Sequence, residues 1–142
     1  MLPDKYKLHF AGAFQEKRYE LYLKHMVKEM QLEDVVEFCG HVEDMNSFWN
    51  DKRFLLNTSI HEGHNVAILE AMSRGITPIV HNFIGAKELY DYGFTFNTTN
   101  EAAYMIGILG GFDNQKDILK LFAEKDWTKK NQIEKIKGVL GV

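Results

Sequence analysis

The sequence predicts an α/β fold built on a doubly wound parallel sheet, and three observations lead there. Short apolar runs of strand character alternate along the chain with stretches of helical period. The junctions carry capping residues or glycines, the usual punctuation between elements. No linker, repeat or low-complexity tract interrupts the alternation. Strands separated by helices favour a parallel sheet with helices on its faces.

The elements are predicted in order. Residues Lys7 to Ala13 read as the first strand. Tyr19, Leu23, Met26, Val27 and Met30 then recur at helical spacing and read as a core-facing stripe, with Glu20 and Lys24 as a favourable i,i+4 pair. Val36 to Val42 is the second strand, and Met45 to Asn50 a short helix. Phe54 to Thr58 is the third strand, followed by a helix from Val66 to Arg74, with Asn65 as N-cap and Gly75 as its stop. Thr77 to His81 is the fourth strand, its Pro78 near the start where a missing donor is tolerated. Ile84 to Asp91 is a short helix and Phe94 to Asn97 a last, brief strand. Thr98-Thr99-Asn100-Glu101 is a capping box opening a helix that stops at Gly110-Gly111. Two polar-faced helices, roughly Asn114 to Lys125 and Thr128 to Val139, complete the chain.

At 142 residues the chain is expected to be one domain, 1–142, with the carboxyl-terminal helices at about 113–142. Hydrophobic residues at 45% and charged residues at 26% suit a soluble globular protein. A formal net charge of -3 gives no electrostatic reason to expect nucleic acid or an anionic membrane as partner. Cys39 is the sole cysteine, which excludes an internal disulfide and suits a reducing cytoplasm. The opening Met1-Leu2-Pro3-Asp4-Lys5 lacks a signal peptide's apolar core. No run approaches the ~18 apolar residues of a membrane span, so a soluble cytoplasmic location with no transmembrane segment is expected.

The richest stretch runs from Ser59 to Gly75. It follows a strand, opens a helix, and carries Glu62 and Glu70 eight positions apart around Gly63, His64 and Asn65. A strand–loop–helix turn exposes backbone N–H groups at the helix start, and these with the helix dipole favour an anion such as a diphosphate. Side chains on a helix tilt toward its N-terminus, so the Glu70 carboxylate could accept hydrogen bonds from a ribose diol beside that anion. Glu62, in the loop ahead, could reach the other side of the phosphates. The pair suits a nucleotide-diphospho-sugar, against the plainer reading of a solvated loop acid and a surface helix residue.

Other chemistry is disfavoured. His61-Glu62-Gly63-His64 places its histidines three apart, whereas the zinc protease motif needs them four apart on one helical face. A receiver domain would need acidic residues at its strand ends, where Gly12, Gly40 and Asn57-Thr58-Ser59 stand. Ser59 lacks a G-x-S-x-G elbow, and neither G-x-G-x-x-G nor a P-loop occurs. His9 and His25 read as ordinary surface or core histidines.

The Ser59–Gly75 stretch resembles the E-x7-E signature of retaining GT-B glycosyltransferases of the family-4, or group 1, type. The resemblance extends through Gly75-Ile76-Thr77-Pro78-Ile79-Val80-His81-Asn82 and Gly85-Ala86-Lys87-Glu88-Leu89. It also takes in Val36-Glu37-Phe38-Cys39-Gly40-His41-Val42, the amino-terminal Leu8-His9-Phe10-Ala11-Gly12, and Trp127 with Gln132-Ile133. It implies the Rossmann-like carboxyl-terminal, nucleotide-sugar-binding domain of an enzyme of carbohydrate biosynthesis of bacterial type. By the same resemblance Glu62 is the first acid, approaching hydroxyls of the transferred sugar, and Glu70 the second, binding the ribose. Gly63, His64 and Asn65 form the loop whose backbone meets the diphosphate, where the family often has an aromatic-Gly pair in place of His64-Asn65. His41 and Val42 match the turn that contacts the base, and Gly12 a glycine near the domain cleft. No metal and no cofactor is implied, the donor being a nucleotide-diphospho-sugar.

The departures shape the functional expectation. The family's domain normally opens with a strand and a Gly-Arg…Lys-Gly segment that contacts the phosphates, and the chain begins after it. The amino-terminal acceptor domain is absent too. The usual strand order puts that first strand mid-sheet. The strands at Lys7–Ala13 and Phe54–Thr58 must then pair directly or recruit another chain, and self-association is favoured over a clean monomer. Two readings stand. The chain is the donor-binding domain of a glycosyltransferase, inactive alone, or a stand-alone nucleotide-sugar-binding or interaction module without transfer. In the complete enzyme, peripheral attachment to a membrane is left open.

Overall fold

A computed structural model describes residues 6–63, 65–90 and 92–110, together with Glu134 and Lys137. The predicted helices at 114–125 and 128–139 therefore lie outside the described residues, except that Glu134 and Lys137 are both helical and ion-paired at 3.1 Å. The chain divides into two compact units, Met1–Asn50 and Asp51–Val142.

The first unit holds β1 (Leu8–Ala11), α1 (Lys17–Glu29), β2 (Val36–Gly40) and α2 (Met45–Trp49). The two strands are parallel, with Leu8, His9 and Phe10 opposite Val36, Glu37 and Phe38. An irregularity follows Phe10, setting Ala11 opposite Gly40. A further bond from Gly12 N to Gly40 O at 2.7 Å extends the pairing past the strand end. Phe10 stacks on Phe38 on one face of this pair, with ring centroids 5.2 Å apart, and Phe14 tilts against Phe38 at 5.5 Å.

In α1 the predicted Glu20–Lys24 pair forms at 2.7 Å, and Lys17 closes on the same carboxylate at 2.8 Å. The predicted core stripe is only partly realised. Leu23, Met26 and Val27 are half-buried, whereas Tyr19 is 63% and Met30 60% exposed, and no residue of α1 is fully buried. Tyr19 lies in the first turn of α1 and Met30 is its C-cap, past the last helical residue, so the exposed members of the stripe stand at the two helix ends. Helix α2 is capped by Asp44, which accepts from Ser47 N at 3.1 Å, and it buries Trp49.

The second unit contains β3 (Phe54–Asn57), α3 (Val66–Ser73), β4 (Thr77–His81), α4 (Ala86–Tyr90), a 3-10 turn (Tyr92–Phe94), β5 (Thr95–Phe96) and α5 (Thr99–Leu109). Its strands run parallel in the order β3-β4-β5. The core is a cluster of Ile68, Met72, Val80, Phe83, Ala86 and Tyr90, with Leu55, Leu69, Leu89 and Phe94 packed against it. Pro78 sits in the central strand, which proline normally avoids. Thr77 N donates toward β3, to Arg53 O at 3.1 Å, so by alternation the Pro78 nitrogen faces the β5 side. The β4–β5 ladder begins only at Val80, so the missing donor falls where no ladder runs.

The capping box forms as predicted. Thr98 Oγ1 accepts from Glu101 N at 3.2 Å, and Glu101 Oε2 accepts from Asn97 N at 2.8 Å. These Asn97 bonds, backbone first, hold the Glu101 carboxyl below its ordinary range. Gly110 closes the helix.

Parallel ladders joined through helices make this a Rossmann-like α/β fold. Among the described residues β1 pairs with β2 in the first unit, and β3 pairs with β4 in the second. No helix among the described residues is long and apolar enough to cross a membrane.

Candidate functional site

The loop between β3 and α3 is built by local hydrogen bonds that its sequence encodes. Leaving the strand, Asn57 Oδ1 accepts from Ser59 N at 3.3 Å, an Asx turn that redirects the chain. Ser59 O then accepts from His81 Nδ1 at 3.1 Å. A carbonyl can only accept, so the proton of His81 resides on Nδ1. This bond ties the loop to the carboxyl end of β4, and ligands of open α/β sheets bind at the carboxyl ends of strands.

Asn65 organises the rest of the loop. Its Oδ1 accepts from Ile68 N at 3.3 Å, capping α3 as the sequence predicts. Its Nδ2 donates to Glu62 Oε1 at 3.0 Å, and its backbone N–H to the Tyr90 hydroxyl at 3.4 Å. One asparagine thus joins the helix start, the first acid of the pair and a core tyrosine. Burial raises the Tyr90 phenol above its ordinary pKa, the Asn65 N–H opposes that rise, and the nearby Glu62 charge adds to it.

With Ile68 N used by the cap, the amides of Val66 and Ala67 find no acceptor among the described residues. Val66 is 64% exposed, so this helix start faces solvent. Two amides at a dipole's positive end can bind an anionic oxygen. Glu70 stands four residues further on in α3, about 6 Å along the axis. It is exposed, and its carbonyl accepts from Ser73 Oγ at 2.8 Å and Arg74 Nη1 at 3.3 Å. Its carboxylate makes no hydrogen bond among the described residues. It can therefore serve a ligand.

The predicted site residues fall in both units. Glu62, Gly63, Asn65 and Glu70 lie on one loop and helix of the second unit, with Glu62 and Asn65 in direct contact. His64 lies outside the described residues. In the first unit Gly12 follows the carboxyl end of β1, and His41 and Val42 follow that of β2. Gly12 has φ of +123° with nothing within 4 Å of where a Cβ would stand, so glycine is needed there for backbone conformation and not for space. His41 is exposed and Val42 half-buried. Sequence reasoning missed Tyr90 and His81 as supports of the loop. Both are distant in sequence, 25 and 22 residues from their partners, and no local pattern marks them.

Residues 2–114 match the sequence profile described as "Glycosyl transferases group 1". No curated protein matches significantly. Among solved structures, Anabaena Alr3699/HepE in complex with UDP-glucose is similar, with a TM-score of 0.82 at 21% identity, over 99% of this chain and 42% of that one. The lipopolysaccharide outer core galactosyltransferase WaaB, apo form, has a TM-score of 0.79 at 20% identity, over 99% and 42% of the two chains. TarM is more distant, with a TM-score of 0.63 at 20% identity, over 91% and 26%. At these identities the structural likeness shows the fold, and the chain spans less than half the length of the structures it matches. The profile match covers most of the sequence, including both acids of the loop and helix, and by it the chain belongs to the group 1 glycosyl transferases.

Proposed function

We propose that this chain is the donor-binding domain of a glycosyltransferase that moves a sugar from a nucleotide-diphospho-sugar to an acceptor with retention of configuration, and that it is inactive alone. The observation that carries this reading is the family match, which spans the loop and helix bearing Glu62 and Glu70. HepE, similar in fold, has been crystallised with UDP-glucose and with UDP, which supports a nucleotide sugar as ligand.

In this reading the diphosphate sits at the start of α3, against the Val66 and Ala67 amides. These stabilise the charge that grows on the leaving diphosphate as the glycosidic bond breaks. Glu70 accepts hydrogen bonds from the ribose hydroxyls. Glu62, oriented by the Asn65 amide, accepts from hydroxyls of the transferred sugar and so fixes it relative to the breaking bond. Gly12, His41 and Val42 contribute to nucleotide binding through backbone, and no metal or cofactor enters this reading. Transfer also needs an acceptor held opposite the donor, and the similar structures are more than twice as long.

Calorimetry with a panel of nucleoside diphosphates tests the binding claim. Glu70→Ala should lose about 1.5–3 kcal/mol, the worth of hydrogen bonds to a charged acceptor, or about 10- to 150-fold in affinity. Unchanged affinity for the preferred nucleotide would remove Glu70 from the site. Nuclear magnetic resonance of the first-formed product of the complete enzyme tests retention, and an inverted anomeric centre rules it out. Sugar transfer by the purified 142-residue chain would overturn the claim of inactivity.

A further inference from the structure

We propose that His9, Glu37 and Cys39 form a binding site for a divalent metal of borderline softness, zinc in the first instance, clamping β1 to β2. The site follows from strand register. His9 lies opposite Glu37 in the parallel ladder, so the two side chains share one face of the pair. Cys39 lies at the register irregularity between the Phe38 and Gly40 pairings, and its Sγ comes to 4.0 Å from His9 Nδ1 on that face. The opposite face is taken by the Phe10–Phe38 stack.

The three groups converge on one another. His9 Nδ1 is 3.8 Å from Glu37 Oε2 and 4.0 Å from Cys39 Sγ. All three candidate ligand atoms lie within 4.8 Å of one another. A zinc ion bound tetrahedrally, with Zn–N of about 2.0–2.1 Å and Zn–S of about 2.3 Å, separates the nitrogen and sulfur by roughly 3.5 Å. Side-chain rotations of about half an ångström would therefore bring the His9–Cys39 pair to that separation. The contacts as they stand are loose. The His9–Glu37 separation of 3.8 Å is long for an ion pair, and the His9–Cys39 separation of 4.0 Å is the outer limit of a sulfur hydrogen bond.

The donor set is selective. Imidazole nitrogen, thiolate sulfur and carboxylate oxygen together suit zinc over magnesium or calcium, which favour oxygen alone. Three protein ligands leave a fourth position. The His9 side chain is 21% exposed and that of Glu37 65%, so water can reach it. On binding, the Cys39 thiol proton passes to solvent as the sulfur–metal bond forms, so affinity falls as pH drops. A clamp here has an evident structural effect, because a pair of short strands is marginal by itself.

The sole cysteine of the chain makes the test specific, since any thiolate–metal absorption must arise from Cys39. Reduced, metal-free chain is titrated with cobalt(II) as a spectroscopic surrogate, then with zinc(II) as competitor. The expected result is a thiolate-to-cobalt charge-transfer band that saturates at one equivalent and is displaced by zinc. It should be abolished in Cys39→Ser and weakened at least tenfold in affinity in His9→Ala and in Glu37→Gln. His61→Ala, in the other unit, should leave it unchanged. Circular dichroism establishes that each variant is folded, and Glu37→Gln, at an exposed position, retains the test if the His9 variant does not fold. Absence of the band in cobalt excess overturns the site, as does a band indifferent to both His9→Ala and Glu37→Gln.

Discussion

Asn65 offers the sharpest test of how the loop between β3 and α3 is held. Replacing it with alanine removes two side-chain bonds: the cap to Ile68 N at 3.3 Å and the donation to Glu62 Oε1 at 3.0 Å. Loss of an N-cap costs about 0.5–2 kcal/mol. The bond to Glu62 is charge-assisted and half-buried, but the freed carboxylate can turn to water. Its loss should therefore add less than the roughly 1.5–3 kcal/mol typical of a charged acceptor. A total of about 1–3 kcal/mol follows. For a chain of this length that lowers Tm by roughly 3–10 °C. Asn65→Asp separates the two bonds. Its carboxylate still caps, and a negative charge at the helix start is favourable. It now stands about 3 Å from Glu62, however, where two carboxylates resist joint ionisation. The aspartate variant should therefore melt between wild type and Asn65→Ala at neutral pH, and bind nucleoside diphosphate at least tenfold more weakly, since its charge opposes the phosphate. Thermal denaturation and calorimetry on the three proteins decide. If Asn65→Ala melts with wild type, or Asn65→Asp binds as wild type does, the loop is not organised as described.

Further outcomes are expected elsewhere. Tyr90→Phe keeps the buried ring and loses only the acceptor for Asn65 N at 3.4 Å. That loss should cost about 0.5–1.5 kcal/mol, whereas Tyr90→Ala empties a core position and should cost about 3–5 kcal/mol; equal melting temperatures would place Tyr90 outside the core. Glu20 is held down from 4.5 to about 2, first by its hydrogen bonds to Lys17 and Lys24, and Asp44 and Glu101 are likewise depressed. Because their folded pKa values lie below the unfolded ones, what these groups contribute is fully present above the ordinary carboxylate range and is lost as pH falls through it toward about 2. Acid titration followed by circular dichroism should show stability declining over that window, and a flat response would refute it. Among the described residues β1 pairs with β2 and β3 with β4, and Leu8, Phe10, Tyr19, Leu21 and Tyr22 are exposed; the purified chain should therefore self-associate with rising concentration. Light scattering tests this, and a concentration-independent monomer would contradict it.

What the amino-acid order determined by itself was whatever depends on neighbours within a few residues. The cap of α3 by Asn65, the cap at Thr98 with Glu101 and the Glu20–Lys24 pair are all satisfied inside about one turn, and each is found where the residues place it. Tertiary structure decided what depends on register and on reach. Tyr90 and His81 brace the loop between β3 and α3 from 25 and 22 residues away. Tyr19 and Met30 are exposed although their spacing promised a core, because they stand at the two ends of α1. His9, read in the linear chain as an ordinary histidine, meets Glu37 and Cys39 only because a parallel ladder sets β1 against β2 in one register. A shift by one residue would turn it to the other face.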